Sequence, residues 1–245
     1  MISLFKKKQT YDLSWLGVDM HSHLIPEIDD GCPDTETSIA CIDGLRELGL
    51  HSFFMTPHIY SEIHPNSPET ILLAYQKLRQ AMDAAGMQNV KTAAAAEYMI
   101  DDAFAANYQQ GAEVMTLPER QVLIEMSYQF ERQDLNEHLF QLQLHEYQPI
   151  LAHPERYNYY HASPKTYTRL KERGCRFQLN LLSLSGYYGE PVRKMAQNLV
   201  KENMIDYIGT DLHHFRHLKA LQSFVQNNDL QKILKGNVIL NSGLA

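Results

Sequence analysis

Two histidines one residue apart, His21 and His23, close the run Gly17-Val18-Asp19-Met20. On a strand, the i, i+2 spacing puts both imidazoles on one face, within reach of one cation. Alone the pair says little. Here Asp29-Asp30-Gly31 follows, and isolated ionisable residues close later apolar runs: His58 in TPH, Glu97 in AAAEY, Glu125 in LIEMS, His153 in AHPERY, and Asp211 with His213 in GTDLHH. Histidine and carboxylate donors without cysteine suit zinc, manganese or iron, and the cysteine spacing rules out a Cys-rich structural zinc site. Five histidines and four acids are too many for one ion. Two or three close ions bridged by Glu97 would use them economically. Such a centre generates hydroxide near neutral pH and stabilises the charge of an in-line phosphoryl transfer.

Each residue also has a plainer reading. Asp30 could cap a turn with Gly31. Glu97 and Glu125 could lie on the surface, although an unpaired carboxylate beside an apolar run is costly. His58 and His153 could be hydrogen-bonded core residues, and Asp211 with His213 a loop pair. What these readings leave unexplained is the recurrence of ionisable groups at the same point of successive units. Arg156, three residues beyond His153, has the reach and fork geometry to hold phosphate oxygens; its plain alternative is an ion pair with Glu155. Arg216 in HHFRH is a second, weaker substrate-binding candidate that could equally be solvated. His51, His64, His138, His145 and His161 lack strand-end placement and read as surface or helix residues. His214 and His217 flank the site loop and stay unassigned.

A cysteine-nucleophile phosphate loop needs Cys-x5-Arg. Six residues after Cys32, Cys41 and Cys175 stand Ser38, Glu47 and Leu181. Neither a Gly-rich phosphate loop nor a G-x-S-x-G elbow is present.

The elements that must position these residues follow an alternating pattern. Strands are expected over 17–20, 52–56, 90–95, 121–126, 149–152, 176–179, 206–209 and 237–240. Helical patterns lie between them. One runs over 35–48, with Ile39, Ile42, Leu45 and Leu48 on one face; a second starts at Ser67-Pro68-Glu69 and carries Leu72, Tyr75, Leu78, Met82 and Ala85 up to Gly86. Ser163-Pro164 and Glu190-Pro191 open two more, and Gly174 closes the first of these. The stretch 99–120 is the least regular, with room for a short helix and a loop. This βαβα alternation implies a mostly parallel sheet wrapped by helices, and 245 residues suit a single α/β barrel. In a barrel, all nine candidate ligands fall on the rim at the C-terminal ends of the strands.

Net charge is -7 and apolar content 44%, which argue against a nucleic-acid surface and for a sizeable core. The three cysteines form no C-x-x-C pair, an odd count that suits a reducing compartment. The start, MISLFKKKQTYDLSWLG, has neither a secretory apolar region nor a membrane span, so the cytoplasm is the expected location, without stable membrane insertion. Lys6-Lys7-Lys8 reads as a solvated arm.

DMHSHLIPEIDDG, TPH, AAAEY, LIEMS, AHPERY and GTDLHH, in that order, resemble the successive motifs of the polymerase-and-histidinol-phosphatase (PHP) superfamily. More closely they resemble its bacterial metal-dependent protein-tyrosine phosphatases of capsule and exopolysaccharide operons. The likeness covers residues 17–245 as one barrel domain and leaves 1–16 as an N-terminal extension. It implies a distorted (β/α)7 TIM-like barrel and a trinuclear site. One metal would take His21, His23, Glu97 and Asp211; a second Glu97, Glu125 and His153; a third Asp30, His58 and His213. Arg156 would match the family's phosphate-binding arginine. The ions would be two or three divalent metals, manganese first, with iron or zinc as alternatives. The implied partner is a phosphotyrosine protein, a bacterial tyrosine kinase of polysaccharide export. Glu27 departs from the family pattern, standing where a glycine is common.

The resulting expectation is a tyrosine phosphatase acting by metal-activated hydroxide, without a covalent intermediate. Its nearest rival is a histidinol-phosphate or other small-molecule phosphomonoesterase, a branch that more often has histidine at the position of Asp30. A regulatory binding protein with a vestigial site is the rival of another class, and the full ligand set argues against it.

Overall fold

A computed structural model describes residues 11–244. Nine short strands carry the site: β1 (Val18–Asp19), β2 (Ser52–Met55), β3 (His58–Ile59), β4 (Lys91–Ala94), β5 (Glu97–Met99), β6 (Gln121–Glu125), β7 (Gln148–Ala152), β8 (Arg176–Asn180) and β9 (Tyr207–Gly209). Every ladder is parallel, in two sheets of order β1-β2-β4 and β3-β5-β6-β7-β8-β9. Together they form a curled, barrel-like sheet with helices around it. Most of its strands are buried nearly throughout, as Phe53, Met55, Val122, Ile124, Ile150 and Leu151 show, which is the pattern of parallel strands covered on both faces; β3 and β4 are only half-buried.

The two expected strands over 52–56 and 90–95 are each followed by a short extra strand, β3 and β5, that the sequence pattern did not predict. Pro57 has no N–H for the ladder, so pairing stops at Met55 and resumes at His58. The matching break lies between Ala94 and Glu97, and the Ala95 and Glu97 N–H groups reach back to Met55 O and Pro57 O across it. The ends of the fold are tied together at the rim. Asp211 N–H donates to His21 O at 2.8 Å, and His23 N–H to Leu212 O at 3.0 Å.

The expected strand over 237–240 is absent. Asn237 N–H turns back to Leu234 O, and Leu240 N–H donates to Asp206 O, which is not a ladder. Side-chain amides do the rest: Asn237 Oδ1 accepts from Ile205 N–H, and Asn241 Oδ1 from Ile208 N–H. The irregular stretch after β5 holds a short helix, Asp102–Gln109, N-capped by Asp101.

The helix Pro68–Ala84 starts in a reciprocal capping box between Ser67 and Thr70. It buries Ile71, Leu78 and Met82; Leu72, expected on that face, is 46% exposed. Leu13 and Leu16 belong to the hydrophobic core, and Leu13 N–H donates to Leu48 O, so residues 11–16 pack against the body of the fold. Lys6-Lys7-Lys8 lies outside the described residues. Among the described residues no helix is long and apolar enough to cross a membrane.

Candidate metal centre

All nine predicted ligands converge at the C-terminal rim. β1 runs into His21 and His23, β3 begins at His58, β5 begins at Glu97, β6 ends at Glu125, His153 follows β7, and Asp211 and His213 follow β9. Their donor atoms form four overlapping groups: His21, His23 and Asp211; His21, Glu97 and His153; His58, Glu97 and Glu125; and His23, Asp30, His58 and His213. These groups cut across the expected partition: His153 groups with His21 and Glu97, Glu125 with His58 and Glu97, and His23 joins Asp30, His58 and His213 as well as His21 and Asp211.

Hydrogen bonds behind the ligands fix which ring atoms face inward. His21 Nδ1 meets Gln178 Oε1 at 2.9 Å, and the same oxygen accepts the His153 N–H at 3.2 Å. His23 Nδ1 meets the buried Asp29 Oδ2 at 2.8 Å. His213 Nδ1 meets Asp211 O at 2.9 Å. Each acceptor holds a proton on Nδ1 and leaves an Nε2 lone pair directed at the centre.

The inward atoms then crowd together. His21 Nε2 and His23 Nε2 lie 3.2 Å apart. Both are 3.2–3.3 Å from Glu97 Oε2 and 3.3–3.4 Å from Asp211 Oδ1. Two imine lone pairs and two carboxylate oxygens facing one point repel unless protons or a cation stand between them. His58 Nδ1 gives the same sign. It lies 2.8 Å from Glu125 Oε1 and 3.2 Å from Glu97 Oε2, yet makes no hydrogen bond with either. Glu97 uses both oxygens, Oε2 towards His21, His23 and His58 and Oε1 towards His153 at 2.9 Å. The donor set therefore fits hard or borderline divalent ions, with Glu97 placed as a bridge.

Electrostatics agree. Burial opposes ionisation of Glu97, but His21 and His58 outweigh it and hold its pKa well below the usual carboxylate range. Burial likewise works against a charged His23, and Asp29 reverses the balance, raising its pKa. Asp29 is brought down to about 2 against its own burial, chiefly by His23. Such a cluster holds protons that a bound cation can displace.

Two ligands occupy the left-handed backbone region, His153 at φ 34° and Asp211 at φ 49°. For residues other than glycine this conformation is costly, and it turns both side chains sharply off their strand ends into the site. Glu27, on the loop that carries Asp29 and Asp30, also has positive φ, 66°. That explains why glycine suits the position.

Arg156 lies over the centre. Its Nη1 donates to Asp211 Oδ2 at 2.9 Å, and its guanidinium sits between the rings of Tyr128 (4.6 Å) and Tyr188 (4.3 Å). The expected alternative partner, Glu155, instead accepts from Asn180 N–H and Ser183 Oγ. Asn180 Nδ2 donates to Asp211 Oδ2 at 2.8 Å, so Asp211 is gripped from both sides. Arg156 lines a cleft of about 230 Å³ with Asp30, His58, Glu97, Tyr128, His153, Tyr188, Asp211, His213, His214 and His217. Arg216 is exposed on the first turn of the helix Phe215–Asn227 and is not among these lining residues, so its placement does not favour the substrate-binding role expected for it. The cysteines are buried in the core, away from the cleft.

Several participants escaped the sequence reading. Gln178 and Asn180 close β8 as the ligands close other strands, a signal that could have found them. Asp29 was read only as a neighbour of Asp30. His64, set aside as a surface residue, stacks on His58 at 5.4 Å between ring centres. His217, left unassigned, lines the cleft. Tyr128 and Tyr188 gave no local signal.

A model of the family described as "Capsular polysaccharide synthesis, CpsB/CapC" matches residues 17–223. The chain belongs to that family. It is 24% identical over 199 residues to the tyrosine-protein phosphatase YwqE of Bacillus subtilis, covering 81% of this chain and 78% of that one. It is 24% identical over 204 residues to the tyrosine-protein phosphatase CpsB of Streptococcus pneumoniae, covering 80% and 83%. A solved structure from work on these two, described as unique metal-dependent tyrosine phosphatases, superposes with a TM-score of 0.76 at 22% identity, over 91% of this chain and 96% of that one. The PHP-type parallel fold implied by the CpsB/CapC motifs is thus the fold of solved relatives.

Proposed function

We propose that this chain is a metal-dependent protein-tyrosine phosphatase, with His21, His23, Asp30, His58, Glu97, Glu125, His153, Asp211 and His213 as metal ligands and Arg156 as the phosphate-binding residue. The observation that carries this is the convergence of inward lone pairs and carboxylates beneath a guanidinium in one cleft. Two or three divalent ions, manganese foremost, would be held there, with residues 17–245 as the catalytic unit. Bound ions supply Lewis acidity towards phosphoryl oxygens and activate water.

The protein's own groups set the rest. Asp211 and the two tyrosine rings fix the plane of Arg156, so its remaining N–H groups are already aimed into the cleft when phosphate arrives. Gln178 and Asp29 keep His21 and His23 in one tautomer. The leaving phenolate, with a reference pKa of about 10, needs little proton assistance compared with an alkoxide. Burial of Cys32, Cys41 and Cys175 away from the cleft supports a mechanism without a cysteinyl-phosphate. The names of the relatives support phosphotyrosine as substrate, and the family description supports a place in capsule synthesis; on this reading the bearer would be a tyrosine kinase of that process, which would put the enzyme in the cytoplasm.

The test is an assay of apoprotein reconstituted with manganese, iron, zinc or magnesium, comparing a phosphotyrosine peptide with histidinol phosphate. Metal-dependent, chelator-sensitive preference for the peptide is expected. Preference for histidinol phosphate would move the chain to the small-molecule branch, and inactivity with every metal would remove the enzymatic reading.

A further inference from the structure

Beside the metal cleft lies a second, wider groove of about 450 Å³, lined by His58, Tyr60, Ile63, His64, Met99, Tyr128 and Phe130 among others. The two share His58 and Tyr128, so they are continuous. Its rims are apolar side chains that a folded protein has little reason to leave in water: Ile63 is 62% exposed and Phe130 67%. The Ile63 rim is preformed. Tyr60 and His64 exchange backbone hydrogen bonds at 2.9 Å, which closes a tight turn with Ile63 near its tip. Asp101 Oδ2 accepts from both Ser61 N–H and Ser61 Oγ, pinning the turn to the start of the helix Asp102–Gln109. On the other side Tyr159 OH donates to Ser127 O, holding the loop that carries Tyr128 and Phe130.

The size of the cleft decides what lies in the groove. About 230 Å³ has room for a phosphoryl group and the ring that bears it, not for a polypeptide as well. With the phosphoryl group against Arg156, the substrate's main chain must leave across the mouth. The groove is continuous with that mouth through Tyr128, whose ring already forms one wall. Glu62, exposed at the groove, disfavours an acidic side chain there.

We infer that this groove is a specificity subsite for the substrate polypeptide, in which Ile63 and Phe130 cover an apolar residue adjacent to the phosphotyrosine. The inference rests on the phosphatase reading above and deepens it: the enzyme selects its phosphotyrosine by the neighbouring residue, and an apolar neighbour is preferred to an acidic one.

The experiment compares p-nitrophenyl phosphate, which fills only the cleft, with short phosphotyrosine peptides. In these, the residue before or after phosphotyrosine is Leu, Ser or Glu. Wild-type enzyme, Ile63→Ser, Phe130→Ser and the double variant are assayed with the same metal. For wild type, Leu on one side should raise kcat/KM over Glu by about five- to tenfold, the scale of one partly buried side chain, expressed in KM. The double variant should reduce that preference to less than about twofold while p-nitrophenyl phosphate turnover stays within about twofold of wild type. Each single variant should fall between. A wild type indifferent to the neighbouring residue overturns the inference and leaves the phosphatase reading standing. So does a double variant that keeps the preference, or one that loses p-nitrophenyl phosphate turnover in equal measure. A wild type inactive on every substrate removes both.

Discussion

Replacing Arg156 by alanine separates a substrate-binding arginine from a structural one. The side chain makes one ion pair, Nη1 to Asp211 Oδ2 at 2.9 Å, and two ring contacts at 4.3 and 4.6 Å. Removing it does not strand Asp211, which keeps Asn180 Nδ2 at 2.8 Å and the histidines around it. The structural loss is therefore the two cation–π contacts, about 1–2 kcal/mol in all. For a chain of this length that lowers Tm by about 2–8 °C. The functional loss should be larger. One missing donor to the transition state costs roughly 10²–10³ in kcat. Arg156→Lys should recover part of the rate, since charge returns without the planar fork. Tm, metal content and kcat on phosphotyrosine peptide, measured on the same preparations, test this. An Arg156→Ala enzyme with full metal occupancy and kcat within about threefold of wild type would refute the reasoning.

Three further outcomes are expected. Glu97→Gln should lose at least about tenfold more activity at saturating metal than Asp30→Asn, because Glu97 alone faces four histidines through both oxygens while Asp30 stands at the exposed mouth; equal losses would count against its bridging role. Gln178→Leu removes the acceptor shared by His21 Nδ1 and His153 N–H, and should weaken metal retention about 10–100-fold in a chelator competition, whereas unchanged retention would show that the tautomer of His21 is held some other way. Glu27→Gly relieves a left-handed φ of 66° and should raise Tm by about 1–4 °C once glycine's entropy in the unfolded chain is subtracted; a lower Tm would mean that the Glu27 side chain contributes contacts outweighing the strain.

The ligands were legible in the sequence because a parallel fold places strand ends on one rim, and every ligand but Asp30 stood at or just past the end of an apolar run. Glu97 and His58 were found for that reason even though the short strands they open were not expected. Two- and three-residue strands that resume after a break at Pro57 leave no periodicity of their own to read. The misread segment at 237–240 shows the converse, since Val238, Ile239 and Leu240 carry strand propensity while Asn237 and Asn241 side chains take the bonds a ladder would have used. Gln178 and Asn180 were hidden by type rather than by position, because a buried amide in RFQLN differs little from an ordinary strand residue until its partners are known. The Tyr128–Arg156–Tyr188 stack was illegible for another reason. Its members sit on two loops and a single 3-10 turn far apart in sequence, and only the closed fold brings them together.

The bonds that tie the first strand to the last have a consequence for how the enzyme comes to exist in a cell. Thr210 Oγ1 and N–H both reach the buried Asp19 carboxylate, across 191 positions of chain, and Asp211 N–H takes the carbonyl of His21. While the chain is still on the ribosome, His21 and His23 emerge first and wait for Asp211 and His213, which follow only after the intervening strands have been made. At about 5–20 residues per second, that interval is roughly 10–40 s. A nascent chain in that interval has part of a ligand set and no closed rim. Ion capture would therefore wait until the last strand has been made and has closed the rim, and a chain stopped short of residue 211 would carry most of the sheet with no competent centre.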